Sequence, residues 1–204
     1  MASNEVVHVV DDDVDVRKSL GFLLATADFA VRLHESATAF LATATKDIEG
    51  CILTDVRMPG IDGIEFLRQL RARGQTVPVI VMTGHADVAL AVQAMKEGAA
   101  DFIEKPFDDQ ILIDAIRLAL DNRSHSTVAH PQASEIHKSL STLSERERQV
   151  LDGLVSGLPN KTIAYDLGIS PRTVEIHRAN VMSKMRAGSL SHLVRMALIA
   201  DSNH

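Results

Sequence analysis

Four short apolar runs each end in residues able to handle a phosphoryl group. Residues 6–10 run into Asp11-Asp12-Asp13, 51–54 into Asp55, 79–82 into Thr83-Gly84, and 102–103 into Glu104-Lys105-Pro106. Carboxylates crowded in one place repel one another unless something positive joins them. Their hard oxygens suit Mg²⁺, which takes one or two carboxylates and completes its shell with water and phosphate oxygens. Lys105 adds a compact ammonium, and Thr83 a hydroxyl that can hydrogen-bond a phosphoryl oxygen. Together they form a kit for phosphoryl transfer: a carboxylate nucleophile, a metal to neutralise charge, and fixed cationic and hydroxyl donors. Taken one at a time, each acid reads equally well as a helix cap facing water. Four successive run ends carrying this set point to a site.

A second set lies near the other end of the chain. Residues 160–167, a Gly168-Ile169-Ser170 turn and residues 171–185 read as two helices joined by a tight turn. Ser170 suits the N-cap and Pro171 the first helical position. Ala164 is small where the helices must touch, Gly168 serves the turn, and Val174 anchors the second helix. Val174, Val181 and Met185 form its inward stripe, with His177 beside it. Arg172, Glu175, Ile176, Ala179 and Ser183 share the opposite face, which has the shape to enter a major groove. There Glu175 can accept from a cytosine amino group and Ile176 can touch a thymine methyl. Lys161, Arg178, Lys184 and Arg186 are placed for phosphates, where they set affinity without reading sequence.

The elements that must position these sets follow from periodicity. Strands are expected at 6–10, 31–33, 51–54, 79–82 and 102–103, and helices at 14–27, 37–44, 63–73, 88–97 and 108–122. Ser36 and Asp62 stand at N-cap positions, and Gly74 and Gly98 follow helices as stops. Five βα units in series imply a five-stranded parallel sheet with helices on both faces, a flavodoxin-like doubly wound α/β domain. Such a sheet places ligand sites beyond the carboxyl ends of its strands, where the acidic set falls. Residues 123–139 are polar and carry little periodicity, as in a linker. From Ser144 onward only helical patterns occur, at 144–156, 160–167, 171–185 and 189–199. The division is therefore 1–122 as an α/β domain, 123–139 as linker and 140–204 as an all-α four-helix domain.

Composition agrees with two jobs. The 204 residues are 46% hydrophobic and 24% charged, which excludes a mostly disordered chain. The net charge of −6 divides into −9 over residues 1–122 and +3 over 123–204, the latter also holding six of the nine histidines. A mildly basic second half is compatible with a polyanion. No apolar run is long enough to span a bilayer, and the start lacks the pattern of a secretory signal. With one cysteine (Cys51, read as a small core residue) there is no internal disulfide, and a cytoplasmic protein without membrane contact is expected.

Residues 5–121 resemble the receiver domains of two-component response regulators. The resemblance is carried by Val9-Val10-Asp11-Asp12, Thr54-Asp55-Val56-Arg57-Met58-Pro59-Gly60, Val81-Met82-Thr83-Gly84 and Glu104-Lys105-Pro106-Phe107. It implies that Asp55 accepts a phosphoryl group from a phosphohistidine of a sensor histidine kinase, assisted by Thr83 and Lys105. It implies Mg²⁺ held by the side chains of Asp12 and Asp55, by Asp11 through water and by the Arg57 carbonyl. Thr83 and Phe102 would be the switch pair, the hydroxyl moving to the phosphoryl group and the ring rotating into the vacated space. A cis bond is implied at Lys105-Pro106. Dimerisation on phosphorylation is implied through the fourth helix and its neighbours, with Val92 and Lys96 on that face.

Residues 140–200 resemble the LuxR-type DNA-binding domain through Leu143-Ser144-Glu145-Arg146-Glu147, Asn160-Lys161-Thr162-Ile163-Ala164, Ile169-Ser170-Pro171-Arg172-Thr173-Val174-Glu175 and His177. The resemblance adds Thr173 to the expected DNA contacts. Departures are mild: Thr162 stands where Glu is common and Met185 where Leu is common. Leu190, Leu193, Val194, Ala197 and Leu198 give the last helix an apolar stripe wide enough for core and partner. Among such regulators, Val7-His8-Val9-Val10-Asp11-Asp12 and the run from Ala99 to Phe107 look closest to activators of nitrogen-fixation and microaerobic genes. Those pair with an oxygen-sensing haem kinase, and promoter DNA and RNA polymerase are the further partners implied. Regulators of the same layout also serve aromatic degradation and dicarboxylate uptake. A metal-dependent aspartyl-phosphate phosphatase is the rival from another class, but there is no cap domain to enclose a small substrate. A constitutive DNA binder with a vestigial receiver is opposed by the intact acid, Thr and Lys set. The chain is thus expected to be a transcription factor and to catalyse nothing beyond its own phosphoryl uptake and slow loss.

Overall fold

The alternation of β-branched runs with amphipathic stretches yields β1 (Val6–Val10), α1 (Val14–Thr26), β2 (Ala30–His34), α2 (Ala37–Thr43) and β3 (Cys51–Asp55), then α3 (Gly63–Ala72), β4 (Val79–Thr83), α4 (Val88–Lys96), β5 (Asp101–Glu104) and α5 (Asp109–Ser124). These come from a computed structural model, which describes residues 5–44, 47–84, 88–124 and 131–201. All four strand pairings are parallel, in the order β2-β1-β3-β4-β5. The chain starts in β1, steps out to β2 and then crosses back to β3 on the other side. That reversal makes the β1/β3 boundary the switch point of a doubly wound sheet, where the crevice for a ligand opens.

Strand periodicity sorts the side chains. Val7 and Val9, Cys51 and Leu53, Ile80 and Met82, and Ile103 point to one face and pack against Leu20 and Leu24 of α1 and Leu112 and Ile116 of α5. Alternate residues such as Ile52, Val79 and Val81 are equally buried, as central strands require when both faces are covered. Cys51 is fully buried, in accord with its reading as core. Asp13, Ser36 and Asp62 cap α1, α2 and α3 by accepting backbone N–H groups, so each helix starts where its strand-to-helix turn delivers it.

The remaining elements are α6 (Pro131–Ser141), α7 (Glu145–Val155), α8 (Asn160–Leu167), α9 (Pro171–Met185) and α10 (Leu190–Asp201). The last four match the expected helices closely. The first is a correction, since most of it lies in the stretch read as linker. Pro131 opens it, and Ile136 and Leu140, spaced i and i+4, turn an apolar stripe onto the core built on Val150, Leu154, Ile163 and Val181, which Leu143 joins just beyond the helix. The stripe is so sparse that polar composition hid it. The described residues form two compact units, one within Met1–Ala86 and Glu97–Ser126, the other within Asp87–Lys96 and Thr127–His204. Among the described residues no helix is long and apolar enough to cross a membrane.

Candidate functional site

Parallel pairing brings the ends of β1, β3, β4 and β5 to one edge. Asp11, the first residue beyond β1, is 2% exposed. Its Oδ1 accepts the Asp13 N–H at 2.9 Å, and its Oδ2 lies 3.2 Å from the Lys105 Nζ. The same ammonium donates to Asp55 Oδ1 at 2.6 Å, while Asp55 Oδ2 accepts the Arg57 N–H at 2.6 Å. Lys105 thus bridges two carboxylates that would otherwise repel. It is held there by its own N–H, which donates to the Thr83 carbonyl at 2.6 Å, and it precedes a cis bond to Pro106. Thr83 is buried at the end of β4, and Phe102 is half-buried in β5.

The electrostatics follow from that bridge. Burial pushes the Asp11 carboxyl up, against the Asp13 N–H and the ammonium, which favour its charged form. Burial also disfavours the Lys105 charge, but the hydrogen bond and attraction of Asp55, with Asp11 behind, hold its pKa above the ordinary lysine value. Two carboxylates against one ammonium leave the edge one negative charge in excess, a setting that attracts a further cation. Asp12 is exposed beside them. Among the described residues no three His, Cys, Asp or Glu side chains converge as a ready metal cage. The donor set nevertheless fits Mg²⁺, since that ion needs only one or two carboxylates and keeps its waters. Sequence reasoning missed Arg17, whose guanidinium donates to the Asp11 carbonyl at 2.6 Å and steadies the turn. It stands four residues after the Asp13 cap, on the first turns of α1, which is the only cue the sequence offered.

The second set takes its expected form. Gly168 ends α8 in the left-handed region (φ 65°), and the Ile169 N–H reaches back to the Ala164 carbonyl at 3.0 Å. Ser170 caps α9 by accepting the Thr173 N–H at 3.1 Å. Val174, Val181 and Met185 are buried, which leaves Arg172, Glu175, Ile176 and Ala179 exposed on the outer face; Ile176 is 56% exposed. Lys161 and Arg186 are exposed and Arg178 is half-buried. Thr173 differs from expectation, because its hydroxyl lies 2.8 Å from the Ser170 Oγ and serves the cap.

Lys184 departs further. Its Nζ donates to Glu147 Oε2 at 2.6 Å and to the Thr142 carbonyl at 3.3 Å, so it is committed to an ion pair inside its own unit. Glu147 is nearly buried and closes a capping box on α7, accepting the Ser144 N–H at 2.7 Å. Lys184 first, and then that N–H, hold the Glu147 carboxyl at about 2, well below the usual carboxylate range. The Ser144-x-x-Glu147 spacing was a readable signal for the box, though nothing in it named Lys184. Tyr165 on α8, 87% exposed, was also overlooked. Of the expected partner face, Val92 is buried and Lys96 exposed.

Residues 7–117 match the response regulator receiver domain family, and residues 141–197 the bacterial regulatory proteins of the luxR family. The chain is 60% identical over 194 residues to the transcriptional regulatory protein FixJ of Azorhizobium caulinodans, covering 95% of this chain and 92% of the relative. It is 57% identical over 192 residues to FixJ of Rhizobium meliloti, covering 94% of each. A crystal structure of full-length FixJ from B. japonicum aligns over 98% of this chain and 99% of that one, at 47% identity and a TM-score of 0.57.

Proposed function

This chain belongs to the two-component response regulators that carry a LuxR-type DNA-binding domain, and from that premise we propose that phosphorylation of Asp55 switches it into a dimeric, promoter-binding activator. The observation that carries the proposal is the Asp55 carboxylate at the switch point, held 2.6 Å from the Lys105 ammonium at the mouth of an acidic edge. An oxygen of Asp55 attacks the phosphorus of a phosphohistidine on a sensor kinase. The P–N bond breaks, the imidazole leaves with the electron pair, and an acyl phosphate remains on Asp55. Asp12 and Asp55 would hold Mg²⁺ by their side chains, with Asp11 through water and Arg57 through its carbonyl, and the bound ion would supply positive charge that offsets the charge of the transferring oxygens.

The new group brings nearly two negative charges and three acceptor oxygens. Lys105 turns from the bare carboxylate to a phosphoryl oxygen, Thr83 donates its hydroxyl to another, and Phe102 rotates into the space that Thr83 leaves. This biases a two-state element, and two copies associate through the face of α4 that carries the exposed Lys96, with the buried Val92 beneath it. On DNA, Arg172, Glu175, Ile176 and Ala179 meet base edges and Lys161, Arg178 and Arg186 meet phosphates, with Lys184 and Thr173 acting as supports. The high identity to proteins named FixJ supports the finer reading: an oxygen-sensing haem kinase as phosphoryl donor, and RNA polymerase recruited in the cytoplasm to nitrogen-fixation and microaerobic genes. The protein is a regulator whose only chemistry is on its own aspartate.

Incubation with acetyl phosphate and Mg²⁺, read by intact mass and peptide mapping, tests the acceptor. One phosphoryl group on Asp55, absent from Asp55→Asn, is expected. Undiminished labelling of Asp55→Asn would overturn the assignment.

A further inference from the structure

Among the described residues, Tyr165 is the most exposed large apolar side chain, at 87%, and it stands on α8 three residues before the Gly168 turn. A tyrosine joins a flat apolar ring to a hydroxyl tip, a combination suited to a contact surface that is apolar at one end and polar at the other.

Helical periodicity tells which way it points, since each residue turns about 100° from the last. Ile163 faces α7, where a Cβ added to Gly153 would come within 2.8 Å of its side chain. Ala164 is buried one step further round, and α8 packs against α9 on that side. Beyond Ala164, on the side away from Ile163, come Lys161 at about 60° and Tyr165 at about 100°. They are neighbours at i and i+4, and both are exposed. Thr162 and Asp166 fall on the other shoulder, towards α7. The edge of α8 next to α9 therefore carries a cation and an aromatic hydroxyl, and it continues the surface that bears Arg172, Glu175 and Ile176.

We propose that Tyr165 is a further DNA contact, made to the sugar–phosphate backbone beside the groove that α9 enters. This rests on the reading of α9 as the groove-facing helix. When the second helix of such a pair lies in the major groove, the first crosses the backbone. The edge of α8 nearest α9 then lies over the strand, and Lys161 gives it the charge that complements phosphate. The Tyr165 hydroxyl donates to a phosphate oxygen while its ring lies against a deoxyribose. Such a contact fixes how α9 sits and reads no base. The Asp166 carboxylate, which repels phosphate, is turned to the far shoulder. Because the phenol carries no charge, it displaces no condensed cation from the DNA. It adds affinity and leaves the salt dependence alone, which separates its role from that of Lys161.

The test uses the full chain phosphorylated with acetyl phosphate and Mg²⁺. Binding is measured across salt concentrations to a duplex selected in vitro by the wild-type protein and to a random duplex of equal length. Tyr165→Phe, which keeps the ring, should weaken binding to both by about fivefold, and Tyr165→Ala by about tenfold or more. The ratio between the duplexes and the slope of log affinity against log salt should stay as in wild type, whereas Lys161→Ala should reduce that slope by about 1. Undiminished affinity in both Tyr165 variants, beside a weakened Lys161→Ala, would overturn this contact and leave the reading of α9 standing. Undiminished affinity with lost transcription by purified RNA polymerase would overturn it in favour of a polymerase contact. A wild-type chain without salt-dependent binding to either duplex would overturn both readings.

Discussion

At the sheet edge, Asp11, Asp55 and Lys105 are gathered into one largely buried array, whereas along α9 Arg172, Glu175 and Ile176 stand out in solvent. In the second unit the tight charged pair, Glu147 with Lys184, ties α7 to α9 beneath that reading face. The two regions prepare for their ligands in opposite ways. The edge holds its charges in a balance that one added group upsets, which suits a switch. The α9 face is a rigid support carrying free side chains, which suits docking onto a surface that supplies the opposite charge. A substitution at the edge therefore changes function and stability together. One on the α9 face changes recognition and leaves the fold alone.

Acidification should separate the units most strongly. His8 and His34 are neutral when folded, with pKa values below those of the unfolded chain. Their contribution is full above about pH 6.5 and is lost as pH falls below that, for His8 down to about 4. The depressed His8 alone accounts for about 3 kcal/mol over that window. Asp11, whose pKa is raised, acts with the opposite sign and returns part of it. Glu147 is depressed, so the second unit keeps its contribution until pH drops below about 4.5 and loses it towards 2. Hydrogen exchange followed by mass spectrometry should show the first unit loosening first. Simultaneous loosening of both would break the contrast.

Next in size is Glu147→Gln, which removes the anion of the pair and weakens the capping box. Lys184 is partly exposed and can rehydrate, so the loss is set at about 2 kcal/mol, below that of a fully buried pair. It should appear as a lower melting point of the second unit with the first unchanged; an unchanged second unit would deny the pair its structural role.

Smaller again are changes on the reading face. Glu175→Ala or Ile176→Ala should alter preference at one base pair by about 1 kcal/mol, with stability within about 0.5 kcal/mol of wild type. Lys161→Ala should weaken binding on every sequence and reduce the salt slope by about 1. Binding assays across operator variants and salt concentrations distinguish these, and a base-specific effect from Lys161→Ala would contradict the division.

The smallest effect belongs to Arg186, which ends α9 in the left-handed region at φ 53°. Arg186→Gly should relieve up to about 1 kcal/mol of strain while lowering affinity for all DNA. A stabilised variant with undiminished affinity would remove Arg186 from the phosphate contacts.

The same contrast explains what the chain reveals before folding. The acidic edge was legible because strands in a parallel sheet end together, so Asp11, Asp55, Thr83 and Lys105 could be assembled from run ends alone. The α9 face was legible because Val174, Val181 and Met185 fix the inward side and so define the outward one. What stayed hidden depends on partners distant in sequence. Lys184 looked like any basic residue near a helix end until Glu147, 37 residues earlier, claimed it. Nothing in the sequence tied Arg17 to the Asp11 carbonyl, which it meets only when the turn after β1 folds back on α1. Helix α6 was lost because its eleven residues carry only two large apolar side chains, Ile136 and Leu140, too weak a pattern without the core they join. The contact of His8 Nδ1 with His34 Nε2, 3.1 Å apart, likewise needs the register of β1 on β2.

The most direct test combines sedimentation with footprinting on promoter DNA, for wild type and Asp55→Asn, with and without acetyl phosphate and Mg²⁺. Wild-type protein should double its mass and protect DNA more strongly only with the phosphoryl donor, while Asp55→Asn should do neither. Wild-type protein that takes up the phosphoryl group yet keeps the same mass and the same affinity would contradict it.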